Sequence, residues 1–230
     1  MVFAKAPVPG QAKTRLIPAV GPEGAARLQA AFLRDVLERH ARPHRRTTVW
    51  CSGAHPLWAT LGVPLALQPA GDLGVRQAVA FAAELAEGAG ASVVVVGTDS
   101  PTLPPELVDL AFATLAASEG PAAVVGPARD GGYYLLGLRG VDPHVLPAVF
   151  AGIAWGTPTV CAELMAGLRG AGGDPAVAVE QSREGQIPFE VLPFWYDIDT
   201  PEDLEALTTR RFLLSPPLPH HTLATLDELL

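Results

Sequence analysis

The side chains best suited to chemistry in this sequence lie in four short motifs, at residues 5–16, 97–101, 130–134 and 197–204. Carboxylates of the second and fourth motifs are the ligands that Mg²⁺ or Mn²⁺ takes, and basic side chains of the first can neutralise phosphate charge. The sequence offers no Ser-His-Asp, Cys-His or His-Glu-x-x-His arrangement for covalent or zinc chemistry. These residue types therefore favour a metal-assisted substitution at a phosphate-linked group.

The first motif, KAPVPGQAKTRL, follows a predicted strand and precedes a helix. Its glycine lets the backbone come close to a phosphate, and its basic side chains neutralise the charge. The chain uses arginine elsewhere, but Lys5 and Lys13 both lie here, which indicates that a compact ammonium is preferred. The motif is not a Walker A loop, which needs glycine where Pro7 and Ala12 stand, and no G-x-G-x-x-G follows any strand.

Carboxylates recur at the predicted ends of extended segments. In the GTDSP motif, Asp99 ends the most hydrophobic strand, at the edge where open α/β sheets bind ligands. It can hold Mg²⁺, and it can equally cap the following turn. Asp197 and Asp199 share one face of an extended segment, and like charges so close need a cation or a functional reason. Glu202 and Asp203 fit better as partners of a helix dipole than as catalysts.

The DGGYY motif at Asp130 follows another buried strand. Its paired glycines allow positive φ or close approach of a ligand, and its tyrosines can stack or form hydrogen bonds. Asp-Gly is also a strong hairpin signal, so the motif by itself favours a turn.

Composition excludes several classes of protein. A net charge of −8 argues against binding to nucleic acid or to a membrane surface. No apolar run is long enough to span a bilayer, and the first residues do not resemble a signal peptide. Cys51 and Cys161 lie in apolar contexts, are expected to be buried, and form no disulfide framework. We therefore expect a cytoplasmic protein.

Short apolar runs alternate with amphipathic segments, a pattern that predicts an α/β fold around a mostly parallel sheet. The predicted strands are 2–4, 47–51, 65–68, 92–97, 122–127, 133–138, 187–191 and a segment ending at Tyr196. The predicted helices are 22–40, 72–87 with Asp72 as its N-cap, 105–118, 157–168, 201–208 and an amphipathic stretch at 222–230. Residues 1–210 are interpreted as one domain, and residues 211–230 as a tail that packs on this domain or on a partner, which leaves a homodimer open.

In their order along the chain, from Phe3 to about Leu207, the four motifs resemble those of the GT-A nucleotide-diphospho-sugar transferase superfamily. They resemble in particular a bacterial glycosyltransferase-like branch of unassigned function. The start is also similar to the phospholactate and molybdenum-cofactor guanylyltransferases, and the end to CMP-sugar synthetases. The resemblance implies a three-layer α/β/α fold with a mostly parallel central sheet.

The resemblance also implies roles for individual residues. Asp99 and Asp199, with Asp197 beside them, would hold Mg²⁺ or Mn²⁺, and Lys13 and Arg15 would face the phosphates; Lys13, Arg15 and Asp99 are the expected catalytic residues. Nucleotide or phosphate binding is expected at Lys5, Gly10, Lys13, Thr14, Arg15, Gln68, Asp72 and Gly74. The acceptor side is expected at Asp130, Gly131, Gly132, Tyr133 and Trp155.

Two reactions fit such a site. In glycosyl transfer, a small-molecule acceptor attacks the sugar of a nucleotide sugar; in nucleotidyl transfer, an acceptor phosphate attacks a nucleoside triphosphate and releases pyrophosphate. The Lys-Thr-Arg loop favours nucleotidyl transfer, because a triphosphate needs more cationic contact. The resemblance to the glycosyltransferase-like branch favours glycosyl transfer, which we rank first. A third reading, a nucleotide-binding module without catalysis, is disfavoured because the expected catalytic and metal-binding residues are all present.

Overall fold

The alternating pattern of the sequence folds into a seven-stranded sheet flanked by helices. The computed structural model describes residues 1–88, 90–170, 186–214 and 216–230. The strands are β1 (Val2–Lys5), β2 (Val49–Ser52), β3 (Leu65–Leu67), β4 (Ser92–Val96), β5 (Ala122–Pro127), β6 (Tyr133–Arg139) and β7 (Phe189–Val191). The helices are α1 (Ile17–His40), α2 (Leu73–Leu85), α3 (Pro105–Ala117), α4 (Leu146–Val149), α5 (Val160–Leu168), α6 (Pro201–Thr209) and α7 (His220–Leu229).

The strand order is β3-β2-β1-β4-β6-β5-β7. The pairs β1–β2, β2–β3, β1–β4 and β5–β7 are parallel, and β5–β6 is antiparallel. The predicted mostly parallel α/β fold is therefore confirmed. Within the described part of the chain, none of the helices has the length and apolar character that crossing a bilayer requires.

The chain divides into two compact units. The first unit comprises Met1–Leu67, Val96–Pro105 and Tyr196–Leu230. Apolar side chains from α1, α6, α7 and the segments before α1 and α6 form one buried cluster: Leu16, Ala25, Leu28, Phe32, Ile198, Leu204, Leu207 and Leu226. The loop after β1 and the segment before α6 are thus anchored on the same apolar core.

The second unit comprises Gln68–Val95 and Glu106–Trp195. Its strand β5 is buried along its whole length, and it pairs with β6 on one side and β7 on the other. The ring of Tyr134 lies on Gly126, where any Cβ would overlap with the ring, and its hydroxyl donates to the carbonyl oxygen of Pro193 at 2.9 Å. This explains a glycine near the end of a buried strand.

Several local predictions are confirmed. Asp72 caps α2, since its carboxylate accepts a hydrogen bond from the amide of Val75 at 2.9 Å. Cys51 and Cys161 are buried free thiols. Asp203 has a structural role in α6, because it forms a capping box with Thr200 at the start of this helix.

The predicted start of α1 at residue 22 coincides with a break in the helix at Gly21, whose φ is 71°; a short helical segment that begins at Ile17 precedes this break. The predicted start of α5 was wrong. Helix α5 begins at Val160 rather than at residue 157, because Gly156 has a φ of 81° and the hydroxyl of Thr157 closes a turn onto the carbonyl oxygen of Ala154.

The segment predicted to end as a strand at Tyr196 forms only a single bridge, between Ala128 and Trp195. The strand predicted over residues 187–191 is shorter, Phe189–Val191. The two prolines around it, Pro188 and Pro193, lack the amide that a strand interior needs, which accounts for the short pairing.

Candidate functional site

The loop after β1 delivers Lys13 to the site in an unusual backbone conformation. Lys13 has φ 45° and ψ 47°, in the left-handed region, and it immediately precedes a short 3-10 helix over Thr14–Leu16. A side chain in this region costs about 1–2 kcal/mol relative to the right-handed region. Gly10 also has a positive φ, 74°, but without that cost. The strain at Lys13 is sustained by the contacts of its side chain.

The Lys13 ammonium lies between the two carboxylates predicted to hold a metal ion. Its Nζ is 2.6 Å from Asp99 Oδ1 and 2.8 Å from Asp199 Oδ1, and it donates to the carbonyl oxygen of Ile198 at 2.8 Å. These three contacts use the three hydrogens of the ammonium. The Lys13 side chain is only 5% exposed, and its Nζ lies 5.0 Å from the centre of the Phe32 ring. We call Lys13, Asp99 and Asp199 the Lys13 cluster.

The charge state of the cluster follows from its geometry. Burial lowers the pKa of Lys13, but the negative charges of Asp99 and Asp199 and their hydrogen bonds raise it more, so the pKa lies above its ordinary value. The ammonium therefore stays protonated, and with both carboxylates ionised the cluster carries one net negative charge. Arg15 adds a second cation nearby: it is 68% exposed, and its guanidinium lies 3.9 Å from Asp199 Oδ2.

The cluster fits a divalent cation in its donor set. Asp99 is 47% exposed and Asp199 is 30% exposed, so both carboxylates remain accessible while each gives one oxygen to Lys13. Mg²⁺ and Mn²⁺ take one or two protein carboxylates and complete their shell with water and phosphate oxygens. Asp197 is held differently, because its Oδ1 accepts a hydrogen bond from the hydroxyl of Ser100 at 2.5 Å.

Buried polar residues behind the cluster were missed in the sequence. The amide of Gln29 is buried and donates to the hydroxyl of Thr98 at 2.9 Å and, at 3.4 Å, to the carbonyl oxygen of Lys5. The Thr98 hydroxyl lies 3.4 Å from Asp99 Oδ1. The available signal was a glutamine on the apolar face of α1, three residues before Phe32. Gln29 and Thr98 thus link α1 and the end of β1 to Asp99.

Backbone contacts bring the second and fourth motifs together. The amide of Ile198 donates to the carbonyl oxygen of Asp99 at 2.8 Å, and the Ile198 side chain is fully buried in the core of the first unit. The apolar residue between Asp197 and Asp199 therefore points into the core, and its two acidic neighbours lie on the other face.

The remaining predicted residues of the first motif lie on its surface. Lys5 and Gly10 are exposed, as is Thr14 at the start of the 3-10 helix. In the first unit, the structure therefore brings together Lys13, Asp99 and Asp199, with Arg15 at their edge.

The predicted acceptor residues lie in the second unit, where DGGYY forms a turn as its pattern indicates. Asp130 Oδ1 accepts a hydrogen bond from the Gly132 amide at 2.9 Å. Gly131 has a φ of 91°, and a Cβ there would overlap with the carbonyl oxygen of Pro158. The Tyr133 hydroxyl donates to Gln77 Oε1 at 3.0 Å, and burial raises the pKa of Tyr133 well above its ordinary value.

Of three further predicted residues in the second unit, Gly74 and Trp155 have packing contacts. Gly74 is buried, and a Cβ there would lie 2.9 Å from Phe150 Cβ and 3.1 Å from the ring of Trp155. Trp155 packs on Phe150, with ring centres 6.5 Å apart. Gln68, just after β3, is half-buried. The close approach that Gly74 allows is thus an approach of aromatic side chains to α2.

This fold is shared with enzymes that use nucleotides. A cytidylyltransferase from Leptospira borgpetersenii serovar Hardjo-bovis (strain JB197) has a TM-score of 0.54 and 16% identity, over 99% of this chain and 92% of that one. A CMP:2-keto-3-deoxy-manno-octonic acid synthetase complexed with CTP has a TM-score of 0.51 and 11% identity, over 92% of this chain and 97% of that one. At such identities the likeness concerns the fold. The chain is therefore an α/β protein with a nucleotidyl- or sugar-transferase-like fold.

Sequence comparison adds the family. A family model, described as "Uncharacterized protein conserved in bacteria (DUF2064)", matches residues 29–157, more than half of the chain. The chain belongs to this family. A protein from Desulfovibrio desulfuricans G20, assigned provisionally as a nucleotide-diphospho-sugar transferase, is 32% identical, with a TM-score of 0.77 over 99% of this chain and 94% of that one. A comparison with curated proteins gives no match.

Proposed function

We propose that this protein is a metal-dependent transferase that passes a sugar from a nucleotide-diphospho-sugar to a small-molecule acceptor. The observation that carries the proposal is the Lys13 cluster, in which two partly exposed carboxylates lie on one buried ammonium. The 32% identical relative with the same fold supports the donor class. Two buried free thiols suit a reducing compartment, and we place the protein in the cytoplasm.

In this reaction, the acceptor hydroxyl attacks the anomeric carbon of the sugar. The bond from that carbon to the diphosphate oxygen breaks, the nucleoside diphosphate leaves with the electron pair, and the acceptor proton goes to solvent or to a base. Asp99 and Asp199 would hold Mg²⁺ or Mn²⁺, which supplies positive charge to the leaving diphosphate. Arg15, exposed beside Asp199, is placed to neutralise phosphate oxygens, and Lys13 keeps the two carboxylates in position.

Nucleotidyl transfer is the second candidate. Its support was the number of cations in the first motif, because a triphosphate carries more charge than a diphosphate. In the structure, the Lys13 ammonium is committed to Asp99, Asp199 and the Ile198 carbonyl oxygen, which leaves Lys5 and Arg15 as the exposed cations of the motif. This reduced cationic contact favours a diphosphate donor. The fold shared with a cytidylyltransferase keeps the triphosphate reaction as the alternative to test.

The test is a thermal-shift panel of nucleotide sugars and nucleoside triphosphates, each with and without Mg²⁺ or Mn²⁺. A ligand that binds the native state raises the melting temperature. We expect a metal-dependent shift with a nucleotide sugar, followed by release of a nucleoside diphosphate on addition of acceptors. A shift with one triphosphate alone would support nucleotidyl transfer, and no shift with any nucleotide would leave a protein without this activity.

Variants assign the shift to the cluster. Asp99→Asn keeps the size of the side chain but removes a charged ligand, and we expect it to abolish the metal-dependent part of the shift. Glu23→Gln is the matched control, because Glu23 is an exposed carboxylate on α1. A full metal-dependent shift in Asp99→Asn would contradict the assignment of the site.

A further inference from the structure

A second group of metal-ligating side chains lies between α1 and α7, within the first unit. The two adjacent histidines at the start of α7 reach the same carboxylate on α1: His220 Nε2 is 3.1 Å from Glu38 Oε2, and His221 Nε2 is 2.8 Å from Glu38 Oε1. Asp35 lies one turn earlier on α1, and ligand atoms of Asp35, His220 and His221 all lie within 4.8 Å of one another. We call these four residues the α1–α7 site.

The backbone that carries the two histidines is held in place by Asp35. Its buried carboxylate accepts hydrogen bonds from the His221 amide at 3.0 Å, the Thr222 amide at 2.7 Å and the Thr222 hydroxyl at 2.5 Å. Further along α7, Leu226 packs in the core of the unit with side chains of α1. The backbone that carries the two histidines is therefore already ordered, so the protein would lose little conformational entropy when an ion binds to them.

Ligand type and spacing indicate which ion the site would take. Imidazole nitrogen suits Zn²⁺, Co²⁺ and Ni²⁺ and not Mg²⁺, which prefers oxygen ligands. In a tetrahedral zinc site with bonds near 2.0–2.1 Å, two ligand atoms lie about 3.3 Å apart. The distances of 2.8 and 3.1 Å between Glu38 and the two Nε2 atoms are close to this value. An ion bound here would take the place of these direct contacts with small side-chain movements.

Charge and access favour a cation as well. The carboxylates of Asp35 and Glu38 together balance a divalent ion. Glu38 and His220 are exposed, and His221 is partly exposed, so an ion can enter from solvent. We propose that Glu38, His220 and His221, with Asp35 behind them, bind one divalent transition-metal ion of the zinc class and thereby fasten α7 to α1. The sequence by itself does not indicate this site, because its residues on α1 and α7 are far apart along the chain.

The experiment uses the full chain without a histidine tag, stripped of metal with EDTA and returned to chelator-free buffer. Zn²⁺ is titrated by calorimetry, and Co²⁺ by its visible absorption. We expect about one ion per chain, a visible spectrum typical of nitrogen and oxygen ligands, and a higher melting temperature with Zn²⁺. Absence of Zn²⁺ binding would overturn the proposal and leave the contacts of Glu38 as ordinary hydrogen bonds.

Variants distinguish this site from the Lys13 cluster. Glu38→Gln and the double variant His220→Gln/His221→Gln should weaken Zn²⁺ binding by at least about tenfold. His144→Gln, which alters an exposed histidine of the second unit, and Asp99→Asn should bind Zn²⁺ as the wild type does. Wild-type affinity in the double variant, or loss of binding in Asp99→Asn alone, would contradict the proposal.

A measurement on the unaltered chain covers the case in which the double variant does not fold. With ¹⁵N-labelled histidine, Zn²⁺ should shift the Nε2 resonances of two of the six histidines of the sequence. Unchanged histidine resonances at saturating Zn²⁺ would show that the ion is bound elsewhere and would refute the site.

Discussion

Replacing Lys13 with methionine tests the organisation of the Lys13 cluster directly. Methionine keeps an unbranched apolar stem of similar length beside Phe32, so packing is largely retained. The change removes the ammonium and leaves Asp99 and Asp199 facing each other without their shared cation. The carboxylates then repel each other, and each loses a short charged hydrogen bond.

The magnitude lies between two limits. Removing one partner of a fully buried ion pair costs about 3–5 kcal/mol, and an exposed pair contributes about 0–1 kcal/mol. Because Asp99 is 47% exposed and Asp199 is 30% exposed, water rehydrates most of the charge left behind. We therefore expect Lys13→Met to lower the free energy of unfolding by about 1–2 kcal/mol, between those limits.

The sharper prediction is a change of sign in a second substitution. In the wild type, Asp199→Asn removes one carboxylate from the ammonium and should destabilise the protein. In the Lys13→Met background the same change removes the repulsion with Asp99, and it should be neutral or stabilising. Urea unfolding of the four proteins at low salt gives the coupling energy, expected at about 1–2 kcal/mol, as for residues in direct contact. An equal loss of stability from Asp199→Asn in both backgrounds would refute the placement of the Lys13 ammonium between Asp99 and Asp199.

Two further predictions concern pH and a turn. The pKa of Lys13 is raised in the folded state above its ordinary value of 10.5. The stabilisation that Lys13 contributes is therefore complete below pH 10.5 and is lost as the pH rises through the pKa of the folded state. The difference in unfolding free energy between wild type and Lys13→Met, measured by urea unfolding, should be constant near neutral pH and shrink only above about pH 10.5. Gly131→Ala combines a positive φ with overlap onto the backbone of Pro158, and it should lower the free energy of unfolding by at least about 2 kcal/mol. Gly10→Ala, at a positive φ but in open space, should lower it by about 1 kcal/mol. Thermal unfolding that shows a larger loss for Gly10→Ala would contradict this prediction.

The parts of the fold that could be predicted are those that local sequence determines. The buried strand at residues 122–127 and the cap at Asp72 follow from apolar runs and side-chain chemistry within a few residues, and both were located correctly. The start of α5 was missed because Gly156 and the Thr157 hydroxyl hold a turn that helical periodicity does not register. Such boundaries depend on backbone conformations that a hydrophobic pattern does not contain.

The site shows the same division. Residue types near the ends of strands indicated Lys13, Asp99 and Asp199 as candidates, but not that the ammonium would lie between the carboxylates. That contact joins residues 186 positions apart and depends on the left-handed backbone at Lys13, which no neighbouring residue predicts. Gln29 was missed for a related reason: a glutamine on an apolar helix face gains meaning only when Thr98 is found opposite it.

The position of Lys13 bears on how the proposed reaction balances charge. Without the ammonium, Asp99 and Asp199 would carry two negative charges, and one divalent ion would only neutralise them. With the ammonium in place the cluster carries one net negative charge, so a bound Mg²⁺ or Mn²⁺ would leave one net positive charge. Arg15 beside Asp199 adds a second positive charge. A diphosphate is attracted to a site with that excess. In the proposed function, Lys13 thus acts on the phosphates through the carboxylates it neutralises, and its burial holds the ammonium in place between them.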